Sequence, residues 1–131
     1  MSAIIGIGRV ERKELKWRMD RAEPFILLEV TPEEDYRKGH LPGALSVPPD
    51  RVAELVPELV PDRDAEIITY CAHSECNASR SAARELEALG YTNVRAYEGG
   101  KRNWVDHGLP LENETTPSLS STEVPEAGSV K

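Results

Sequence analysis

Two stretches of the chain are almost continuously apolar: Phe25-Ile26-Leu27-Leu28-Glu29-Val30 and Glu66-Ile67-Ile68-Thr69-Tyr70-Cys71. Runs of this length, with little polar alternation, predict strands buried on both faces of a sheet. Ile4–Ile7, Ala44–Val47 and Val94–Tyr97 are weaker runs that predict further strands. Between them the period becomes helical. Leu15, Met19 and Ala22 share a face, as do Val52, Leu55 and Leu59. Ala82, Ala83, Leu86 and Leu89 step by three and four, with charges on the opposite side. Ser79 is placed to cap that helix and Gly90 to end it. Pro32 suits a first helical position, with Glu33, Glu34 and Asp35 favoured by the dipole behind it. Strands alternating with helices predict one α/β domain over residues 1–112, a mainly parallel sheet flanked by helices.

After Leu111 the character changes. Residues 113–131 hold no aromatic side chain and no apolar period, so they cannot bury enough surface to offset their ordering entropy. A disordered tail is expected there. The 131 residues suit a single domain. Apolar residues make up 39%, and the 9 glycines bring the total into the globular range. Lys plus Arg number 16 against 23 Asp plus Glu, a net charge of −7, which argues against non-specific binding to nucleic acid or acidic membrane. No apolar run approaches the roughly 18 residues of a membrane span, and the first residues lack the basic region of a secretory signal. Two cysteines are too few for a disulfide scaffold, so a reducing cytoplasm is the expected setting. A monomer is the favoured oligomeric state.

Ligands of open α/β sheets bind beyond the carboxyl ends of the strands. Cys71 stands at such an end, and a loop runs from it to the helix near Ser79. A loop curling into a helix start aims backbone N–H groups and the positive dipole end at one point. A free cysteine with a pKa of about 8.5 is only a few per cent thiolate at neutrality; lowering it to about 6.5 would ionise roughly three quarters. The site therefore predicts a stabilised thiolate. A cysteine buried as a small hydrophobe is the competing interpretation, and position alone does not separate them.

Three segments resemble the signatures of rhodanese-like domains. Leu27-Leu28-Glu29-Val30 with Tyr36-Arg37-Lys38-Gly39-His40-Leu41-Pro42-Gly43-Ala44 is similar to the first. Thr69-Tyr70-Cys71 is similar to the strand bearing the catalytic cysteine. Tyr97-Glu98-Gly99-Gly100-Lys101-Arg102-Asn103-Trp104 with Gly108-Leu109-Pro110-Leu111 is similar to the closing signature. The resemblance runs from about Val10 to Leu111. It implies a three-layer domain and sulfurtransferase chemistry. Cys71 would take the outer sulfur of a small donor as a persulfide and pass it to a thiol, cyanide or a protein acceptor. The active-site loop it implies comprises Ala72, His73, Ser74, Glu75, Cys76, Asn77, Ala78 and Ser79, and neither cofactor nor metal is expected. A catalytically inactive binding or sulfur-carrier module is the alternative.

The loop departs from the family pattern Cys-x-x-x-x-Arg. Cys76 occupies the arginine position, no glycine is present through Ala78, and the loop is about two residues longer. Arg80, the candidate anion-binding residue, is thereby expected inside the helix. Glu29 replaces the usual aspartate and Thr31 the usual arginine. Glu75 adds negative charge, so a dianionic donor such as thiosulfate is expected to be poor. Cys76 is a candidate resolving partner for Cys71 through a reversible disulfide. Zinc held by Cys71, His73 and Cys76 would lack a fourth ligand and a known spacing. His73 either supports the thiolate or is simply solvated. A phosphatase would need a cation six residues after its cysteine, where Asn77 stands, so that class is set aside. His40 is expected to fix a turn, and Gly99 and Gly100 to supply positive φ before a helix. Trp104 is expected in the core or a pocket wall; Trp17, among Lys13, Lys16 and Arg18, is expected to be partly buried.

Overall fold

The computed structural model describes residues 8–73 and 75–113. The expected strand Ile4–Ile7, Ser74, and the expected disordered tail from residue 114 onward lie outside the described residues. β1 (Gly8–Arg9) leads to α1 (Arg12–Asp20), and β2 (Ile26–Glu29) to α2 (Glu33–Lys38). β3 (Leu45–Ser46) passes through a 3-10 turn (Pro49–Arg51) into α3 (Val52–Leu59). β4 (Ile67–Tyr70) precedes α4 (Ala78–Ala88), and β5 (Val94–Tyr97) precedes α5 (Gly100–Asp106).

The strands form one parallel sheet in the order β1-β5-β4-β2-β3. This order sets the two most apolar runs side by side, with Leu27 beside Ile68 and Leu28 beside Thr69. Side chains that alternate along β2 and β4 then split the core into two layers. Leu28, Val30 and Ile67 pack with Val52 and Val56 of α3 and with Ala83 and Leu86 of α4. Leu27, Ile68 and Tyr70 pack on the other face with Leu15 of α1 and Trp104 of α5. Helix, sheet and helix make the three layers expected from the pattern. Trp104 is buried, its Nε1 donating to the Pro110 carbonyl at 2.7 Å.

Several local expectations need correction. The buried stripe of α3 runs Val52, Val56 and on to Val60, while Leu59 is 46% exposed. Two apolar stripes share Val52; the one running on to Val60 packs in the core with Leu86 and Tyr91, and the Tyr91 hydroxyl donates to the Val60 carbonyl at 2.6 Å. Ala22 lies past the end of α1 at φ 55°, outside its helical face. Pro32 flanks α2 rather than opening it, and Glu33, Glu34 and Asp35 fill the first turn. Ser79 does not cap α4. The helix begins one residue earlier, Ser79 is buried in its first turn, and its carbonyl accepts the Thr69 hydroxyl at 2.8 Å. Gly90 ends the helix at φ 101°, a conformation that favours glycine. Trp17 is 56% exposed, with the Arg21 guanidinium stacked over its ring.

Candidate active site

Cys71 directly follows β4, the strand between β5 and β2, so the centre of the sheet fixes its backbone. Its N-terminal neighbour Tyr70 belongs to the face packed on α1 and α5. The residue is 1% exposed. Its thiol lies 3.5 Å from the Cys76 carbonyl oxygen and 3.7 Å from that of His73. Burial is the main influence on its ionisation and pushes the thiol pKa up, and the hydrogen bond and charge of Cys76 push the same way. Backbone groups of Ser79 and His73 oppose this but do not prevail. The expected stabilised thiolate is thus corrected for the resting protein. Desolvation and the Cys76 side chain outweigh the backbone groups of Ser79 and His73.

The cradle is held by two elements. The Cys76 amide donates to the His73 carbonyl at 3.1 Å, closing a turn, and the Ala78 amide donates to Cys76 Sγ at 3.5 Å. From the other side, the amides of Lys101 and Arg102 donate to the carbonyls of Cys71 and Ala72, each at 2.8 Å. Gly100 makes this approach possible. At φ 75°, a Cβ there would stand 2.7 Å from the Cys71 oxygen and 2.9 Å from the His73 nitrogen. The expectation of positive φ therefore holds for Gly100, whereas Gly99 has φ −60°.

A buried carboxylate ties α5 to β2. Glu29 is fully buried; its Oε1 accepts the Tyr70 hydroxyl at 2.6 Å, and its Oε2 accepts the Thr31 hydroxyl at 2.5 Å. Lys101 Nζ donates to Glu29 Oε2 at 2.8 Å and to the Asp35 carbonyl at 3.0 Å. The Tyr70 oxygen also accepts the Leu41 amide at 3.0 Å, and burial together with the Glu29 charge pushes its pKa upward. Lys101 thus pins α5 across the end of β4 while its own amide holds the Cys71 carbonyl. Sequence reasoning missed this role. Glu29 within an apolar run signalled a buried charge needing a cation, but nothing local pointed to a residue 72 positions away.

The remaining expected residues are spread around the loop. Ala72 is half-buried, and His73, Glu75 and Asn77 are exposed. Ala78 and Ser79 belong to α4, so the loop ends at Asn77. Arg80 lies within that helix as expected, where its guanidinium pairs with Glu98 at 3.7 Å and hydrogen-bonds the Asn77 side chain. Cys71 and Cys76 are both free thiols. His40 fixes its turn: Nδ1 is 2.9 Å from the Tyr36 carbonyl, and the ring stacks on Tyr36. A cleft of about 380 Å³ opens beyond β1 and β5, bordered by Arg9, Arg12, Lys13, Tyr97 and Glu98, a feature absent from the sequence expectations.

The family model described as "Rhodanese-like domain" matches residues 11–107. The HTH-type transcriptional regulator Rv0324 of Mycobacterium tuberculosis is 34% identical over 103 residues, covering 79% of this chain and 44% of that protein. This chain therefore spans less than half the length of that relative. A protein of Allochromatium vinosum named "Sulfurtransferase" is 26% identical over 111 residues, covering 80% of this chain and 94% of its own length. Among solved structures, the Alr3790 protein from Anabaena superposes with a TM-score of 0.73 at 26% identity, covering 79% of this chain and 80% of that one. Among the described residues, no helix is long and apolar enough to cross a membrane.

Proposed function

Because the chain belongs to the rhodanese-like domain family, we propose that it is a sulfurtransferase that carries sulfane sulfur as a persulfide on Cys71. One observation carries the reading: Cys71 sits at the carboxyl end of the central strand, inside a loop held by amides from α5. The thiolate attacks the outer sulfur of a donor, the donor's S–S bond breaks, and its remainder leaves with the bonding pair. Cyanide, a small thiol or a protein thiol then takes the sulfur. Two free cysteines suit a reducing compartment such as the cytoplasm.

The charge around the loop favours donors less charged than thiosulfate. Glu75 is exposed on the loop, and Arg80 is already engaged by Glu98. A low-molecular-weight persulfide meets less repulsion than a dianion. The test is thiocyanate formation from cyanide with each donor in turn. Turnover that vanishes in Cys71→Ser supports the reading. A second reading, a module that binds a partner or carries sulfur it does not itself extract, draws on the raised pKa of the Cys71 thiol. Absence of thiocyanate with every donor would favour it.

A further inference from the structure

Sulfur loading on Cys71 leaves Cys76 without a task, yet the fold sets this residue against the loaded sulfur. The Cys76 carbonyl oxygen is 3.5 Å from Cys71 Sγ. Its own sulfur is held at the start of α4 by the Ala78 amide, and it is partly exposed where Cys71 is buried. The five-position separation is bridged by a loop whose ends are fixed by β4 and α4. The backbone of Cys76 is thereby brought against the Cys71 sulfur.

We propose that Cys76 resolves the Cys71 persulfide, releasing the outer sulfur as hydrosulfide and leaving a Cys71–Cys76 disulfide. This step rests on the loading of Cys71. Cys76 Sγ attacks Cys71 Sγ and forms the new S–S bond. The persulfide S–S bond breaks, and its outer sulfur departs with the bonding pair, taking the proton that Cys76 gives up. The sulfane sulfur gains two electrons, and the two cysteine sulfurs together lose two. A small or protein dithiol restores the pair, becoming a disulfide itself and returning two electrons and two protons. The chain is then a persulfide-cleaving, sulfide-releasing catalyst as well as a sulfur carrier.

The experiment uses the full chain, reduced and freed of thiols, with one equivalent of glutathione persulfide. Wild type is expected to release close to one sulfide per chain and to lose two hydrogens in mass. The Cys71–Cys76 link should be found in a digest, and a second equivalent of persulfide should give sulfide only after dithiothreitol has reduced the pair and been removed. Cys76→Ser is expected to accumulate the one-sulfur adduct and to release sulfide at least about 10-fold more slowly. Wild type that keeps the adduct as long as Cys76→Ser would overturn the proposal and leave sulfur loading intact. Equal sulfide release from both chains would also overturn it. No adduct and no disulfide in either chain would overturn both the loading reading and the step that depends on it.

Discussion

Replacing Lys101 with methionine keeps the length and apolar stem of the side chain but removes its ammonium. Glu29 would then be a fully buried carboxylate with hydroxyl donors from Tyr70 and Thr31 and no cation. Breaking a buried ion pair from one side costs about 3–5 kcal/mol. The lysine side chain keeps 16% of its exposure, so the lower end applies, about 3 kcal/mol. For a domain of roughly this size that lowers Tm by about 12 °C. Urea unfolding followed by circular dichroism measures the loss. The double variant Glu29→Gln/Lys101→Met is expected to recover at least half of it, because the amide oxygen accepts the Tyr70 hydroxyl and the amide nitrogen donates to the Thr31 oxygen, whose proton turns to the Pro32 carbonyl, with no charge stranded. A single-variant loss below about 1 kcal/mol would refute the argument that this pair pins α5 to the sheet. So would a double variant showing the sum of both single losses.

Gly100→Ala is expected to cost at least about 2 kcal/mol through positive φ and contact with the Cys71 carbonyl, and to slow sulfur loading about 10-fold or more. Unfolding and donor stopped-flow measure the two effects. The raised pKa of Cys71 means less thiolate at a given pH. Its loading rate should therefore rise through neutrality and level off at higher pH than that of a free cysteine measured alongside. Cys76→Ser should shift this profile to lower pH, since it removes the second-largest cause of the rise. Glu75→Gln should raise kcat/KM for thiosulfate by roughly twofold to fivefold at low salt and lose that advantage at high salt. No change would show that the carboxylate does not face the donor.

The central strands were legible because their apolar runs are longest where the sheet buries both faces. Ile67–Tyr70 and Val94–Tyr97 fall within or on the predicted runs. The position of Cys71 followed from β4, and the placement of Arg80 inside α4 followed from counting back from Gly90. What stayed hidden depends on distant partners or on backbone direction. Val60 packs with Tyr91, whose hydroxyl bonds its carbonyl, Glu29 is answered by Lys101, and Arg80 is claimed by Glu98. None of these pairs shares a local period. The raised Cys71 pKa arises from burial of its sulfur and then from the neighbouring Cys76 side chain, which the loop's residue types do not specify.

The most direct test of Cys71 as the sulfur carrier is the intact mass of two single-cysteine chains after incubation with a low-molecular-weight persulfide. Cys76→Ser retains Cys71 and should gain one sulfur atom, lost again on adding a thiol; Cys71→Ser should gain none. Sulfur gained by Cys71→Ser and not by Cys76→Ser would move the chemistry to Cys76. No gain in either chain would contradict a persulfide on Cys71.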